Sequence, residues 1–597
     1  MQRAGSLSAL ADTFGRRMAP SPVLAWSLLA LACIAFQFLA KADLGGFLGD
    51  TDDATRLVEV RELMAGASWF DVVLPRFNPP DGLASHWSRL IDLPLALLIS
   101  LFATVMTPAS AELATRALWP LIMLLAMLYV LARSAEIAGG RAAAAIALML
   151  AATCSTALGQ FNVGRIDHHN AQILGAVGGV LLLFVLPRAP QLALAAGALS
   201  GFSVAVGYEG LPLVLLGAGL AALWGVIDTA VRRAVLSYSV ALAGTVAAAF
   251  IATTRPAAWS QIHCDALSGN LVVLIGVGVA GLAAVLTRGG SWPVPYRLLA
   301  LATAGAAGIA SYGALEPQCL LHGPFGQVPA ELKTAWLDQI LETRSLFSQF
   351  SMAPAQTLGE LAFFLVGICA QLRRWWLRPS PADLILALIL VFAVALGCWQ
   401  IKFAPYASWL ACLPVALTIA GFTGTMRVPA RTGWLAGILL ANQSTLSVLA
   451  LAVEALPAAP ADAKAQLAQE ISCMATAASR ALNHAPKGLV IADTDLGPFI
   501  VATTGHSVLS APYHRIPNAI LATQRLFAGS AAEALPQLTR MHADYVAFCP
   551  DKLVSGLSED GEEASLYAHL KRGEIPGYLS RVALPEATPI QLYRIRH

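Results

Sequence analysis

The chain is built from apolar stretches separated by short polar breaks. A helix needs about 17–25 apolar residues, at about 1.5 Å rise each, to cross a bilayer. Stretches of that kind lie at 24–40, 116–132, 142–158, 171–187, 190–207, 211–227, 234–252, 270–287, 298–313, 358–371, 382–398, 403–422 and 432–453. One more apolar run, 91–107, is ambiguous by pattern alone. The first stretch reads as an anchor rather than a cleaved signal, because it is long, lacks a small-residue cleavage site and is followed by Lys41 and Asp43. The pattern predicts a polytopic α-helical membrane protein.

Lys and Arg in short loops set the orientation. Arg3, Arg16 and Arg17 precede the first stretch, which places the N-terminus in the cytoplasm. If 91–107 lies on the outer face without spanning, Arg133/Arg141, Arg188, Arg232/Arg233, Arg288/Arg297, Arg373/Arg374/Arg378 and Arg427/Arg431 all become cytoplasmic. The intervening loops 41–115, 159–170, 254–269, 314–357 and 399–402 are long or acidic. That reading gives about thirteen transmembrane helices. The odd number puts the C-terminal region on the outer side, which is periplasmic for a bacterial inner (plasma) membrane.

From about residue 454 the pattern changes. A helix-like stretch 462–483 leads into β-type runs at 488–492, 507–510, 544–548 and 590–593, with helical stretches near 517–540 and 560–572. Strands alternating with helices predict a small α/β domain. The expected organisation is a transmembrane catalytic domain, 1–453, with outer loops 41–115 and 314–357, followed by a periplasmic α/β domain, 454–597.

Composition narrows the function classes. Hydrophobic residues make up 57% of the 597, charged residues 12%, and mean hydropathy is +0.66. A soluble chain carries about twice that charge fraction. A soluble multidomain protein, a disordered chain and a nucleic-acid binder with a basic face are excluded. The net charge, 38 − 36 = +2, conceals a split between arginine-rich cytoplasmic loops and carboxylate-bearing outer loops. Of nine cysteines, Cys33, Cys154, Cys369, Cys398 and Cys412 sit in or at spans. Cys264, Cys319, Cys473 and Cys549 fall outside, where oxidation is permitted. By region the natural pairs are Cys264–Cys319 and Cys473–Cys549, though sequence leaves connectivity open.

Charged groups are scarce, so each outer cluster carries weight. Asp50, Asp52 and Asp53 follow the first span, and three carboxylates so close repel unless a cation offsets them. Asp167 and His169, with His168 between them, stand two apart after Gly164-Arg165-Ile166; in an extended loop both face one way. Carboxylate oxygens with an imidazole suit Mg²⁺ or Mn²⁺. The loop 314–357 carries Glu331, Lys333, Asp338, Glu342 and Arg344, and Lys402 stands at the mouth of a span, where it either snorkels or holds a phosphate.

These residues carry a resemblance. Asp52-Asp53-Ala-Thr-Arg56…Arg61, then Asn78-Pro-Pro-Asp81-Gly82…His86-Trp87…Asp92, resembles the first outer loop of oligosaccharyltransferase catalytic subunits, polytopic glycosyltransferases of the GT-C superfamily. Asp52 to Arg61 has the family's nine-residue spacing, and Asp167-His168-His169 is similar to the archaeal Asp-x-His form of its second motif. Gln339-Ile-Leu-Glu342 and Lys402-Phe403 resemble, more weakly, its Thr/Ser-x-x-Glu and Arg-Phe elements. The resemblance covers roughly 40–420 and implies thirteen spans with 91–107 as a horizontal helix. It implies that Asp52, Asp167 and His169 hold a divalent metal, and that Glu342 completes the catalytic set with Asp52 and Asp167. It also implies that Lys402 contacts the phosphate of a polyprenyl-linked sugar donor. The family's Trp-Trp-Asp acceptor motif is absent; the only Trp pair is Trp375-Trp376. In its place stand Asp493-Thr-Asp495, His506 and Tyr513-His514-Arg515.

The expectation is an inverting, metal-dependent transfer of a sugar from a polyprenyl phosphate or diphosphate to a periplasmic lipid, envelope glycan or protein. Asp52 is the first choice to take the acceptor's proton. Arg515 is a second donor-phosphate candidate, and Asp53, His168, Asp495, His506 and His514 are acceptor or accessory candidates. The alternatives are a transporter or flippase of a lipid-linked or anionic substrate, a metal-independent transferase like the O-antigen ligases, and a non-catalytic scaffold. A transporter predicts charges paired inside spans and internal repeats, and neither stands out here.

Overall fold

The computed structural model describes residues 21–422, 430–451, 472–550, 552, 554 and 563–596. Helix α1 (Val23–Lys41) opens the bundle. The outer loop after it folds into helix α2 (Thr51–Met64), a short hairpin β1 (Val73–Leu74) and β2 (Leu83–Ala84), and helix α3 (Arg89–Ala103). The segment α4 (Pro108–Ala152) is two helices joined at a kink at Gly140, whose φ of 83° suits glycine, and the two carry the apolar stretch 116–132 and most of 142–158. The bundle continues through α5 (His169–Phe184), α6 (Ala193–Val206), α7 (Leu211–Ile227), α8 (Arg232–Thr253), α9 (Gly269–Thr287) and α10 (Val294–Leu315). After loop 316–353 come α11 (Pro354–Leu377), α12 (Pro381–Trp399), α13 (Ala404–Phe422), α14 (Ala430–Ala441) and α15 (Gln443–Leu451).

The protein is a polytopic helical membrane protein. Among the described residues eight helices are long and apolar enough to cross a bilayer, α14 and α15 form a pair bent by 61°, and three shorter apolar helices lie at 169–184, 190–206 and 211–227. Each apolar stretch read from the sequence has its helix or half-helix here. The run 91–107 forms α3, which buries Ile91, Leu95 and Ile99 and exposes Leu93, Leu97 and Leu101. Arg3, Arg16, Arg17 and Arg427, used for orientation, and the 453/454 boundary lie outside the described residues, as does most of 462–483.

The C-terminal part is an α/β unit. Its strands are β3 (Leu489–Ile491), β4 (Ser507–Val508), β5 (Tyr545–Phe548), β6 (Leu579–Arg581) and β7 (Gln591–Ile595), in the order β4-β3-β5-β7-β6. The β3 pairs are parallel and the β7 pairs antiparallel. Helices α16 (Gly497–Thr503), α17 (Pro517–Ala528), α18 (Ala534–Arg540) and α19 (Leu566–Lys571) connect them. Strand β6 and the β1–β2 hairpin escape the sequence pattern.

The edge strand β4 does not end in solvent. Asn78 N–H donates to Val508 O (2.8 Å) and Val508 N–H to Arg76 O (2.9 Å), so the first outer loop covers the edge. Apolar side chains of α2 and α3 share one core with those of β3, β5 and α16. Arg61 adds a fork to Glu112 (2.8 and 2.6 Å) and a hydrogen bond to Ala502 O, locking loop, bundle and sheet together. Both disulfides form as paired by region, Cys264–Cys319 and Cys473–Cys549, and the other five cysteines are free.

Candidate functional site

Helix α2 starts with a reciprocal cap. Asp50 accepts from the N–H of Asp52 (2.9 Å) and Asp53 (3.0 Å), while Asp53 accepts from Asp50 N–H (3.1 Å). Acidic side chains in a first turn also complement the helix dipole. The other oxygen of Asp53 accepts from the backbone N–H of Ile166 (2.6 Å) and Asp167 (3.0 Å), which joins the first acidic cluster to the second. Arg165 then bridges Asp50, Asp53 and Asp167.

This group is the acidic triad of the site. Ligand atoms of Asp50, Asp53 and Asp167 lie within 4.8 Å of one another, a spacing that could hold a metal. Arg165 occupies that centre electrostatically, and Asp53 is wholly engaged by backbone and Arg165. Burial pushes the Asp167 carboxyl up, but Arg165 and His169 outweigh it and hold it well below the usual range.

Asp52 is placed differently. It faces a cavity of about 1030 Å³ and has the Tyr513 hydroxyl 3.1 Å from its Oδ1. Burial, then Asp50 and Glu342, raises its carboxyl well above the usual range, which makes it the more basic carboxylate. His168, His169, Glu342 and Lys402 line the same cavity. His168 stacks on His169 (4.4 Å between rings) and is pushed down to about 3 by burial and by that neighbour. Glu342 sits in a 3₁₀ turn, raised by burial, and Arg344 O just beyond it accepts from Ile401 N–H, so its loop is docked beside Lys402.

Glu209, in the turn between α6 and α7, completes the row. Its carboxylate lies 3.4 Å from His169 Nε2 and 3.6 Å from Lys402 Nζ. Burial raises it, but His169 and Lys402 hold it well below the usual carboxylate range. Asp52, His168, His169, Glu209, Glu342 and Lys402 thus come to this cavity from five distant parts of the chain. Among the described residues the ligand atoms close enough to share an ion belong to Asp50, Asp53 and Asp167; Asp52 and His169 are not in that group, and His169 Nδ1 stands 3.0 Å from Asp167 Oδ2 as an ion-pair contact.

Other expected residues divide in two. His514 and Arg515 reach the cavity wall, but both close on Asp265 (2.7 Å, and 2.8 Å twice). Burial raises Asp265, and His514 with Arg515 lowers it far more. Asp495 and His506, expected near the acceptor, do not line the cavity. Asp495 and Asp493 pair with Lys552 (3.2 and 2.9 Å), and His506 is buried against Leu482 O and Gly488 N. Both order loops of the sheet unit.

Sequence reasoning passed over Glu209 and Asp265, each a lone acid at a helix end or in a loop. It also gave no role to the buried set Arg56, Glu59, Arg89 and Asp92. There Arg56 pairs with Glu59 (3.1 Å) and Asp92, and lies 4.6 Å above the Trp87 ring. That set fixes one wall of the cavity.

No protein-family model matches the sequence, and no curated protein matches it. Solved structures do. The archaeal oligosaccharyltransferase AglB from Archaeoglobus fulgidus, in complex with an inhibitory peptide and a dolichol-phosphate, superposes with a TM-score of 0.66 at 15% identity, over 93% of this chain and 79% of that one. The chain has a GT-C-like fold. The Archaeoglobus fulgidus enzyme with Zn and sulfate gives a TM-score of 0.62 at 15% identity, over 93% and 78%. The arabinofuranosyltransferase AftD from Mycobacteria gives 0.50 at 18% identity, over 97% of this chain and 42% of that one.

Proposed function

We propose that this GT-C-like chain is a membrane glycosyltransferase that moves a sugar or glycan from a polyprenyl phosphate or diphosphate to an acceptor on the sheet-bearing side. The acceptor is an envelope glycan, lipid or protein. The carrying observation is the convergence of Asp52, His169, Glu342 and Lys402 on one cavity beside the apolar bundle. The reading is supported by neighbours of this fold solved with dolichol-phosphate, and with Zn and sulfate. We place it in a bacterial inner membrane with the N-terminus cytoplasmic and the sheet unit periplasmic.

The reaction is a single displacement with inversion. The acceptor oxygen attacks the anomeric carbon, Asp52 takes its proton, and the sugar–phosphate bond breaks with its electron pair going to the lipid phosphate. Lys402 offsets the charge that develops there. Asp52, Asp167 and His169 would have to draw closer together to hold Mg²⁺ or Mn²⁺, with Glu342 bracing the site, and the ion would then supply Lewis-acid stabilisation of the leaving phosphate.

A second reading, metal-independent transfer, is favoured by Arg165, which already neutralises Asp50, Asp53 and Asp167. Purified protein with a panel of polyprenyl-linked donors, with Mn²⁺ or EDTA, decides. Turnover that needs the ion supports the first reading, turnover that survives EDTA the second. No turnover or binding with any polyprenyl donor sinks both and returns the transporter.

A further inference from the structure

We infer that the acceptor is a carbohydrate, whose sugar ring stacks on an arc of aromatic side chains in the cavity wall beside Asp52. This rests on the transfer reading above and names the acceptor class within it. The arc runs ring to ring. Phe325 meets His514 at right angles (5.5 Å between centroids), His514 lies 5.1 Å from His86, His86 5.7 Å from Trp87, and Trp87 5.8 Å from His168. All five line the one cavity. They come from the loop after α10, the sheet unit, the first outer loop and the turn before α5, so only the folded chain assembles them.

The arc is held from outside the cavity. Buried Arg56 lies 4.6 Å from the Trp87 ring, and the Tyr513 ring meets Trp87 edge-on at 5.4 Å. Asp265 Oδ2 lies 2.7 Å from His514 Nε2, and the Arg515 fork holds the same carboxylate. Trp87 is 6% exposed, while His86, His514 and Phe325 are half-buried and keep surface for a ligand.

Placement decides which substrate the arc meets. The Tyr513 hydroxyl 3.1 Å from Asp52 belongs to the ring packed on Trp87, so the base stands beside Trp87. Lys402, the cation for the lipid phosphate, stands at the far end, 5.8 Å from the Phe325 ring. The group that gives its proton to Asp52 is the acceptor, so the acceptor lies along Trp87, His86 and His514.

The chemistry of the arc selects a sugar. The C–H bonds on one face of a sugar ring carry slight positive charge and meet the negative face of an aromatic ring. The hydroxyls at the sugar's edge need polar partners. The Asp265–Arg515 pair stands beside His514, and His168 Nδ1 is buried with no hydrogen-bond partner, which a hydroxyl would satisfy. A serine, threonine or asparagine side chain is too small to cover rings from four segments. A lipid tail would leave the polar groups among the rings without a use.

Saturation-transfer difference NMR on the full chain in detergent tests this without turnover. The probes are neutral tri- to pentasaccharides of the common hexoses, N-acetylhexosamines and pentoses, peptides rich in Asn, Ser and Thr, and, as a separate arm, a short-chain polyprenyl phosphate. At least one oligosaccharide is expected to take up saturation on its ring C–H protons, and the peptides none. Phe325→Leu and His86→Leu keep apolar bulk. Each is expected to weaken that oligosaccharide about 3–10-fold, with polyprenyl phosphate still bound and the melting temperature unchanged. No oligosaccharide binding, binding that neither variant weakens, or a peptide bound instead overturns the inference while the transfer reading stands on the polyprenyl phosphate arm. A chain that binds no polyprenyl phosphate overturns both.

Discussion

Asp53 Oδ1 accepts the backbone N–H of Asp167 at 3.0 Å, across 114 residues of chain. The bond, with its twin from Ile166, fixes the second acidic motif by way of the first. In Asp53→Ala two buried donors and the Arg165 fork lose their partner, at a cost of about 1–3 kcal/mol for a stranded buried group. The expected result is a lower melting temperature and lost turnover. A variant that melts and turns over as wild type would remove Asp53 from this role.

Asp52 has no backbone to hold and faces the cavity. Asp52→Asn is expected to lower kcat about 10²–10⁴-fold with donor binding retained, as read by donor titration. Tyr513→Phe removes one hydroxyl beside it and is expected to cost about tenfold or less, in keeping with a single hydrogen bond of about 0.5–1.5 kcal/mol. A larger loss from Tyr513 than from Asp52 would reverse the assignment.

Lys402→Met tests the phosphate cation. Its three donors and charge are expected to contribute about 1.5–3 kcal/mol, so the donor KM rises about 10–100-fold, and the shift shrinks at high salt. A KM change seen only for the acceptor would place Lys402 on the other substrate.

Glu59 supplies a pH dependence of stability. Burial, with Asp92 next, raises its carboxyl from 4.5 to about 8 against the pull of Arg56 and Arg89. The folded chain therefore holds this proton more tightly than the unfolded chain does. The stabilisation is full below pH 4.5 and is lost as pH rises through about 8. Melting temperature is expected to decline across that window, and Glu59→Gln is expected to flatten the decline. An equally steep curve in the variant would assign the slope elsewhere.

The membrane architecture was legible because apolar length is a property of the sequence itself, and each apolar stretch became a helix. Asp52, Asp167, His169 and Glu342 were legible because scarce charges in outer loops stand out against an apolar chain. Glu209 was not, since its place beside His169 and Lys402 comes from the fold. The same holds for Arg165, which reads as one more basic residue until the three carboxylates around it are seen. Asp495 and His506 erred the other way: a local motif suggested chemistry, and Lys552 and the Gly488 turn claimed them for structure.

The hydroxyl of Tyr513 reaches Asp52 across 461 residues. At about 5–20 residues per second, synthesis separates the two by roughly 20–90 s. Asp52 thus spends most of the protein's making without its partner, while the helices between them enter the membrane. The cavity wall around Asp52 closes only when Pro512, Tyr513, His514 and Arg515 dock against helices made long before them.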